Sequence, residues 1–205
     1  MIRPVLRVCW VGRLSPADCR QLTREAGEAF NTMASQFDDV LQANQVFATN
    51  YADPQLPGRA ARGLAIVTCM DSRIDPLAMV GLHRGDVKIL RNAGARVTDD
   101  VLRTLVLAVH LLGVERIMIV AHTDCRMAME SEEKLHAAIL ASSGLDTRSI
   151  EFRIVEDQYV VLTRDVQRVR SSPYLPADFP VIGCRYDLGT GLLDVLVSES
   201  DTARP

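Results

Sequence analysis

Three short apolar runs, residues 64–68, 87–90 and 117–121, each lead into residues that carry chemistry: Cys69, then Arg91-Asn92-Ala93-Gly94, then His122. Runs of four or five apolar residues read as strands buried on both faces, the pattern of a parallel sheet. Between the second and third lies a helix with its boundary signals in place. Thr98 stands at the N-cap and Asp99 and Asp100 complement the helix dipole. Val101, Leu102, Leu105, Val106, Val109 and Leu112 line one face, and Gly113 ends it. This alternation predicts an α/β fold: a mostly parallel central sheet of four to five strands flanked by helices. Further helical stretches follow at 130–142 and 156–170. Residues 181–187 and 192–197 then form a hairpin around Leu188-Gly189-Thr190-Gly191, which closes the sheet.

Ahead of the sheet, residues 36–51 form an N-terminal helical arm with Phe37, Val40, Leu41 and Phe47 apolar, set off by a Pro- and Gly-containing linker at 54–58. Residues 1–32 read as a separate extension, with Met33 as an alternative start. Their one apolar stretch is broken by Arg7 and Arg13, so they do not match a signal peptide. Residues 33–205 form a single α/β domain, which a 205-residue chain with 48% hydrophobic content can build without disulfides. A net charge of -3 gives no footprint for nucleic acid. No apolar stretch reaches the roughly 18–20 residues that cross a bilayer. Five cysteines with no C-x-x-C pair point to a reducing compartment, and the expectation is a cytoplasmic protein.

The C-terminal ends of parallel strands gather residues that are distant in sequence, and ligands bind there. Here they gather Cys69, Asp71 and Arg73 from one strand end and His122 and Cys125 from another, Cys125 opening the next helix. Two thiolates and an imidazole suit Zn2+, with the fourth position taken by Asp71 or by water. If Asp71 ligates, no water position remains. If the planar fork of Arg73 holds the carboxylate away, the position opens. The turn Asn92-Ala93-Gly94 presents its backbone to the same pocket, as a substrate-binding element or simply as a tight turn. Cys184 reads as a small buried hydrophobe, Cys9 and Cys19 as bystanders, and Asp124 as a turn or capping residue. His110 and His136 lack partners, and His83 is either a proton relay or a surface histidine.

Cys69-x-Asp71-x-Arg73, Asn92-Ala93-Gly94 and His122-x-x-Cys125, in this order and spacing, resemble the β-class carbonic anhydrases over about residues 37–197. The flanks, Val97-Thr98-Asp99-Asp100-Val101 among them, resemble a bacterial branch. The resemblance implies zinc on Cys69, His122 and Cys125, an Asp71–Arg73 dyad, and a homodimer or higher oligomer. It also implies reversible hydration of carbon dioxide to bicarbonate and a proton by zinc-bound hydroxide. Members of the same fold hydrolyse carbonyl sulfide or carbon disulfide, which is the second reading; a zinc-bound but inactive binding module is the third. The chain departs from the family at Arg126, where the residue after the second cysteine is usually Gly. An arginine opening a helix opposes its dipole, and there it would narrow the path to the metal or attract an anion such as bicarbonate.

Overall fold

Leu64–Cys69 (β1) is buried at every position, because each of its faces is covered by a different set of apolar residues. The computed structural model describes residues 36–52 and 55–202. The chain divides into two units, residues 1–55 and 56–205. In the first, Asp38–Thr49 (α1) is a three-turn helix with no buried residue, and Phe37, Val40, Leu41 and Phe47 are each more than half exposed. The proposed extension 1–32, with Cys9 and Cys19, lies outside the described residues.

The second unit holds β1, Val87–Asn92 (β2), Asp99–Leu111 (α2), Arg116–His122 (β3), Glu132–Ser143 (α3), Gln158–Arg170 (α4), Val181–Tyr186 (β4) and Leu193–Val197 (β5). The sheet order is β2-β1-β3-β4-β5, parallel throughout except for the antiparallel β4–β5 edge. The chain runs from β1 to β2 on one side and then returns to place β3 on the other. That reversal makes the C-terminal ends of β1 and β3 the topological switch point, where open α/β sheets leave a crevice.

On one face, Val101, Leu105 and Ala108 of α2 and Leu162, Val166 and Val169 of α4 pack on Ala65, Val67, Ile117, Ile119 and Val181. The α4 helix comes close because Gly183 has no side chain; a Cβ there would sit 2.7 Å from Leu162 Cγ. On the opposite face, Leu64, Ile66, Val120 and Cys184 are joined by Met79, Val80 and Leu82 from the β1–β2 connection, with Met118, Ile182, Tyr186 and Leu193 only partly buried.

The caps explain the helix starts. Thr98 accepts a hydrogen bond from the Val101 amide, and Asp157 does the same for Val160 at α4. The helix expected to open at Cys125 does not. A 3-10 turn, Arg126–Ala128, follows Cys125, and α3 begins only at Glu132, where the Ser131 side chain accepts from Lys134 N and Glu132 and Glu133 complement the dipole. Arg126 therefore meets no developed helix dipole.

Candidate metal centre

Hydrogen bonding in the parallel ladder carries β1 to Cys69, which pairs with Asn92, and carries β3 to His122, which pairs with Tyr186. Both residues are thus the last members of strands rather than loop residues, and their backbones are fixed by the sheet. Cys125 follows three residues after His122, where Asp124 adopts a left-handed conformation (φ 54°) that turns the chain back. The outcome is a buried cluster in which the ligand atoms of Cys69, His122 and Cys125 all lie within 4.8 Å of one another.

The imidazole is already set for a metal. Its Nδ1 lies 2.8 Å from the Thr123 carbonyl, which can only accept, so Nδ1 carries the proton and Nε2 keeps its lone pair. Nε2 is buried and has no hydrogen-bond partner. A buried orphan nitrogen beside two sulfurs is costly unless something binds there, and two soft sulfurs with one imidazole are a donor set that zinc accepts. The sulfurs are unequal. The Cys125 thiol donates to Cys69 and the Gly94 and Asp71 amides add to it, so the Cys69 thiol is pulled well below its ordinary value despite burial. Cys125, as that donor and as a buried group, is pushed up. A cation would take the place of the proton the two sulfurs share.

Asp71 stands beside the cluster but outside it. Arg73 donates through Nε to Oδ1 (2.9 Å) and through Nη2 to Oδ2 (2.7 Å), a two-pronged pair that holds the carboxyl well below the usual carboxylate range. The nearest approach of Asp71 Oδ2 to His122 Nε2 is 4.0 Å. Of the candidate turn, Gly94 has φ 77°, and a Cβ there would press on Val155 and Met127 at 3.2–3.3 Å, so a side chain would be both strained and crowded. The Asn92 side chain spans the turn, donating to Arg96 O (2.7 Å) and accepting from Arg96 N (2.8 Å). Ala93 begins the short 3-10 segment that delivers Gly94.

Residues 64–193 match the carbonic anhydrase family. β-Carbonic anhydrase 1 of Mycobacterium tuberculosis is 34% identical over 160 residues, covering 77% of this chain and 95% of that protein. The crystal structure of the carbonic anhydrase from Streptococcus mutans is similar with a TM-score of 0.73 and 34% identity, covering 78% of this chain and 96% of the other. The chain belongs to the β-carbonic anhydrase family. A carbon disulfide hydrolase of Acidianus is also related, at 29% identity over 63% of this chain and 74% of that protein.

Within this β-carbonic anhydrase fold, Arg126 leans along the chain to Glu130, with nitrogens 3.3 and 3.4 Å from its carboxylate, and both side chains are solvated. Cys184 is buried in β4 with its thiol pushed up to about 11 by burial alone, as a small hydrophobe should be. His110 and His136, expected to lack partners, do have them, the Tyr174 carbonyl at 2.8 Å and the Thr147 hydroxyl at 2.9 Å, and His83 is exposed.

Sequence reasoning gave no role to four residues that hold this site. Arg91 donates to the carbonyls of Cys69, Asp71 and Ile74, fixing the whole ligand loop from behind. Gln158 donates to the His122 carbonyl at 2.7 Å. Arg96 and Asp165 form a buried ion pair beneath the Gly94 turn. Only Arg91, adjacent to the turn motif, had a signal of position; the rest are long-range pairings.

Proposed function

We propose that the protein catalyses reversible hydration of carbon dioxide to bicarbonate and a proton, with zinc held by Cys69, His122 and Cys125. The observation that supports this most is the buried two-sulfur, one-nitrogen cluster with an orphan Nε2 and a carboxylate held off it by Arg73. When bound there, zinc lowers the pKa of a coordinated water towards about 7 and so supplies a nucleophile near neutral pH.

The chain's own residues do the rest. Arg73 keeps Asp71 ionised and turned aside, so the fourth position is open and the carboxylate can accept a hydrogen bond from water placed there. The amides of Gly94 and Asp71 donate to the Cys69 sulfur and draw charge from it. Thr123 sets the imidazole tautomer, while Gln158 holds the His122 backbone. The backbone of Ala93 and Gly94 lines the entry for a linear substrate. Two sulfur donors leave more negative charge at the metal than imidazoles do, so kcat/KM for hydration should rise into the alkaline range and not stay flat from about pH 6 to 9.

The decisive assay is stopped-flow carbon dioxide hydration on zinc-quantified protein, with Asp71→Ala alongside and carbonyl sulfide offered in parallel. Zinc near one per chain and hydration lost in the variant support the reading. The Acidianus relative is the reason for the second substrate: sulfide release without hydration would make the chain a hydrolase of carbonyl sulfide or carbon disulfide. Zinc with neither activity would leave a binding module.

We further infer a homodimer or higher oligomer in the cytoplasm. Among the described residues no helix is long and apolar enough to cross a membrane, and the buried Cys69, Cys125 and Cys184 are all free thiols. The solvated apolar stripe of α1 is costly alone, and a second copy of the chain would cover it. Light scattering on protein lacking residues 1–52 should show a smaller species; an unchanged oligomer would refute the role of the arm.

A further inference from the structure

Asp71 and Arg73 lie two residues apart on one loop, where the Arg73 amide also donates to Asp71 Oδ1 (3.0 Å), so their pair is fixed on the Cys69 side of the site but is not thereby tied to the loop that bears His122 and Cys125. Something must refer the pair to the other ligand-bearing loop. Asp124 does this. Its Oδ2 accepts from Arg73 Nη1 at 2.7 Å and its carbonyl from Nη2 at 3.2 Å, across a separation of 51 residues. The Nη1 hydrogen bond uses a nitrogen that Asp71 leaves free, since Asp71 takes Nε and Nη2. The two carboxylates therefore occupy different sides of one guanidinium and do not compete for the same nitrogen face. Asp124 also sits between His122 and Cys125 with φ 54°, a region where glycine is unstrained and Asp or Asn is tolerated. The backbone conformation at this position does not require a carboxylate; the contact with Arg73 does.

We propose that Asp124 is a positioning residue: it anchors Arg73 to the His122–Cys125 loop and so keeps Asp71 turned away from the metal. This rests on the reading above, in which an unpaired Asp71 closes the fourth position. Arg73 is half exposed, and without Asp124 its long side chain regains freedom towards solvent, leaving Asp71 to the single Arg73 amide at Oδ1, which does not hold Oδ2 off the metal.

The positive φ makes the test clean, because Asp124→Gly and Asp124→Asn both suit the backbone. The protein is loaded with cobalt(II) and titrated with azide, following the visible spectrum; Arg73→Ala and the same variants in an Asp71→Ala background are run in parallel. Asp124→Gly should weaken azide binding about tenfold and move the spectrum towards a form insensitive to the anion, with Asp124→Asn, which keeps an acceptor oxygen, affected less. In the Asp71→Ala background the effect should shrink to within about twofold, because a residue that acts through Asp71 has nothing left to act on. Unchanged or tighter azide binding in Asp124→Gly overturns the proposal, as does the same loss in the Asp71→Ala background. A fall in Tm with unchanged azide affinity would assign Asp124 a purely structural role and also overturn it. Arg73→Ala separates the two levels. If it too leaves azide binding unchanged, the gate itself is absent; if it weakens binding and Asp124→Gly does not, only the role of Asp124 falls.

Discussion

Cys69→Ser should yield a folded protein that keeps little zinc and hydrates carbon dioxide at least about a hundredfold more slowly, since even groups that only support a ligand are worth 10–100-fold at such sites. The expectation follows from what converges on that sulfur. Cys69 ends a strand whose residues are all buried and pairs with Asn92 of β2, one residue past the last β3 pair at Thr68, and a hydroxyl in place of the thiol leaves β1 intact. What is lost is the thiolate that accepts from Cys125 and from the Gly94 and Asp71 amides. A serine hydroxyl stays protonated and is a poor zinc donor. Cys184→Ala is the matched control. It removes an equally buried thiol two strands away, one whose burial pushes it up and which has no part in the cluster. It should cost about 1 kcal/mol of stability and leave zinc content unchanged. Metal analysis with circular dichroism on both variants decides the matter: equal zinc in Cys69→Ser and wild type would remove Cys69 from the ligand set.

The contrast between those two cysteines also shows what the sequence could and could not reveal. Cys69 and His122 were legible because each closes an apolar run, and a strand end in a parallel sheet is where chemistry gathers. Even the strand lengths erred in an informative way: the ladder runs on through Cys69, Asn92 and His122, so the sheet itself fixes these residues. The Thr98 cap and the apolar face of α2 were equally plain, being local. Cys125 joins the Cys69 and His122 cluster but does not start a helix, because the capping serine at 131 and the acidic pair after it fix α3 more strongly than the cysteine does. Asp124 read as a turn residue, and its backbone does make the turn. Its side chain's partner, Arg73, lies 51 residues away, and no spacing rule reports such a pairing.

The strongest case of an illegible support is the Arg96–Asp165 pair, separated by 69 residues. Asp165 is a charged residue on the buried face of α4, where periodicity predicts an apolar one. It accepts from Arg96 Nε at 2.8 Å and from the Val97 amide at 3.2 Å, while Arg96 Nη1 donates to the Arg153 carbonyl at 2.9 Å. Asn92 braces the same Arg96 through its backbone. The network thus clamps residues 92–97, a turn that holds both Gly94 and Ala95 at positive φ and aims the Gly94 amide at Cys69. Asp165→Ala leaves a guanidinium that is only 15% exposed without its counter-charge. Stranding one partner of a buried pair costs about 3–5 kcal/mol, and at about 2–4 °C per kcal/mol for a chain this size Tm should fall by roughly 6–20 °C. Zinc should also be extracted faster by a chelator, because the released turn withdraws a hydrogen bond from a ligand sulfur. Replacing both partners, Arg96→Met with Asp165→Leu, removes the stranded charge and should recover much of the stability, but not the chelator resistance, since no apolar pair aims the Gly94 amide. A double variant that regains both would mean that the ion pair contributes packing alone and that the geometry of the turn is set elsewhere.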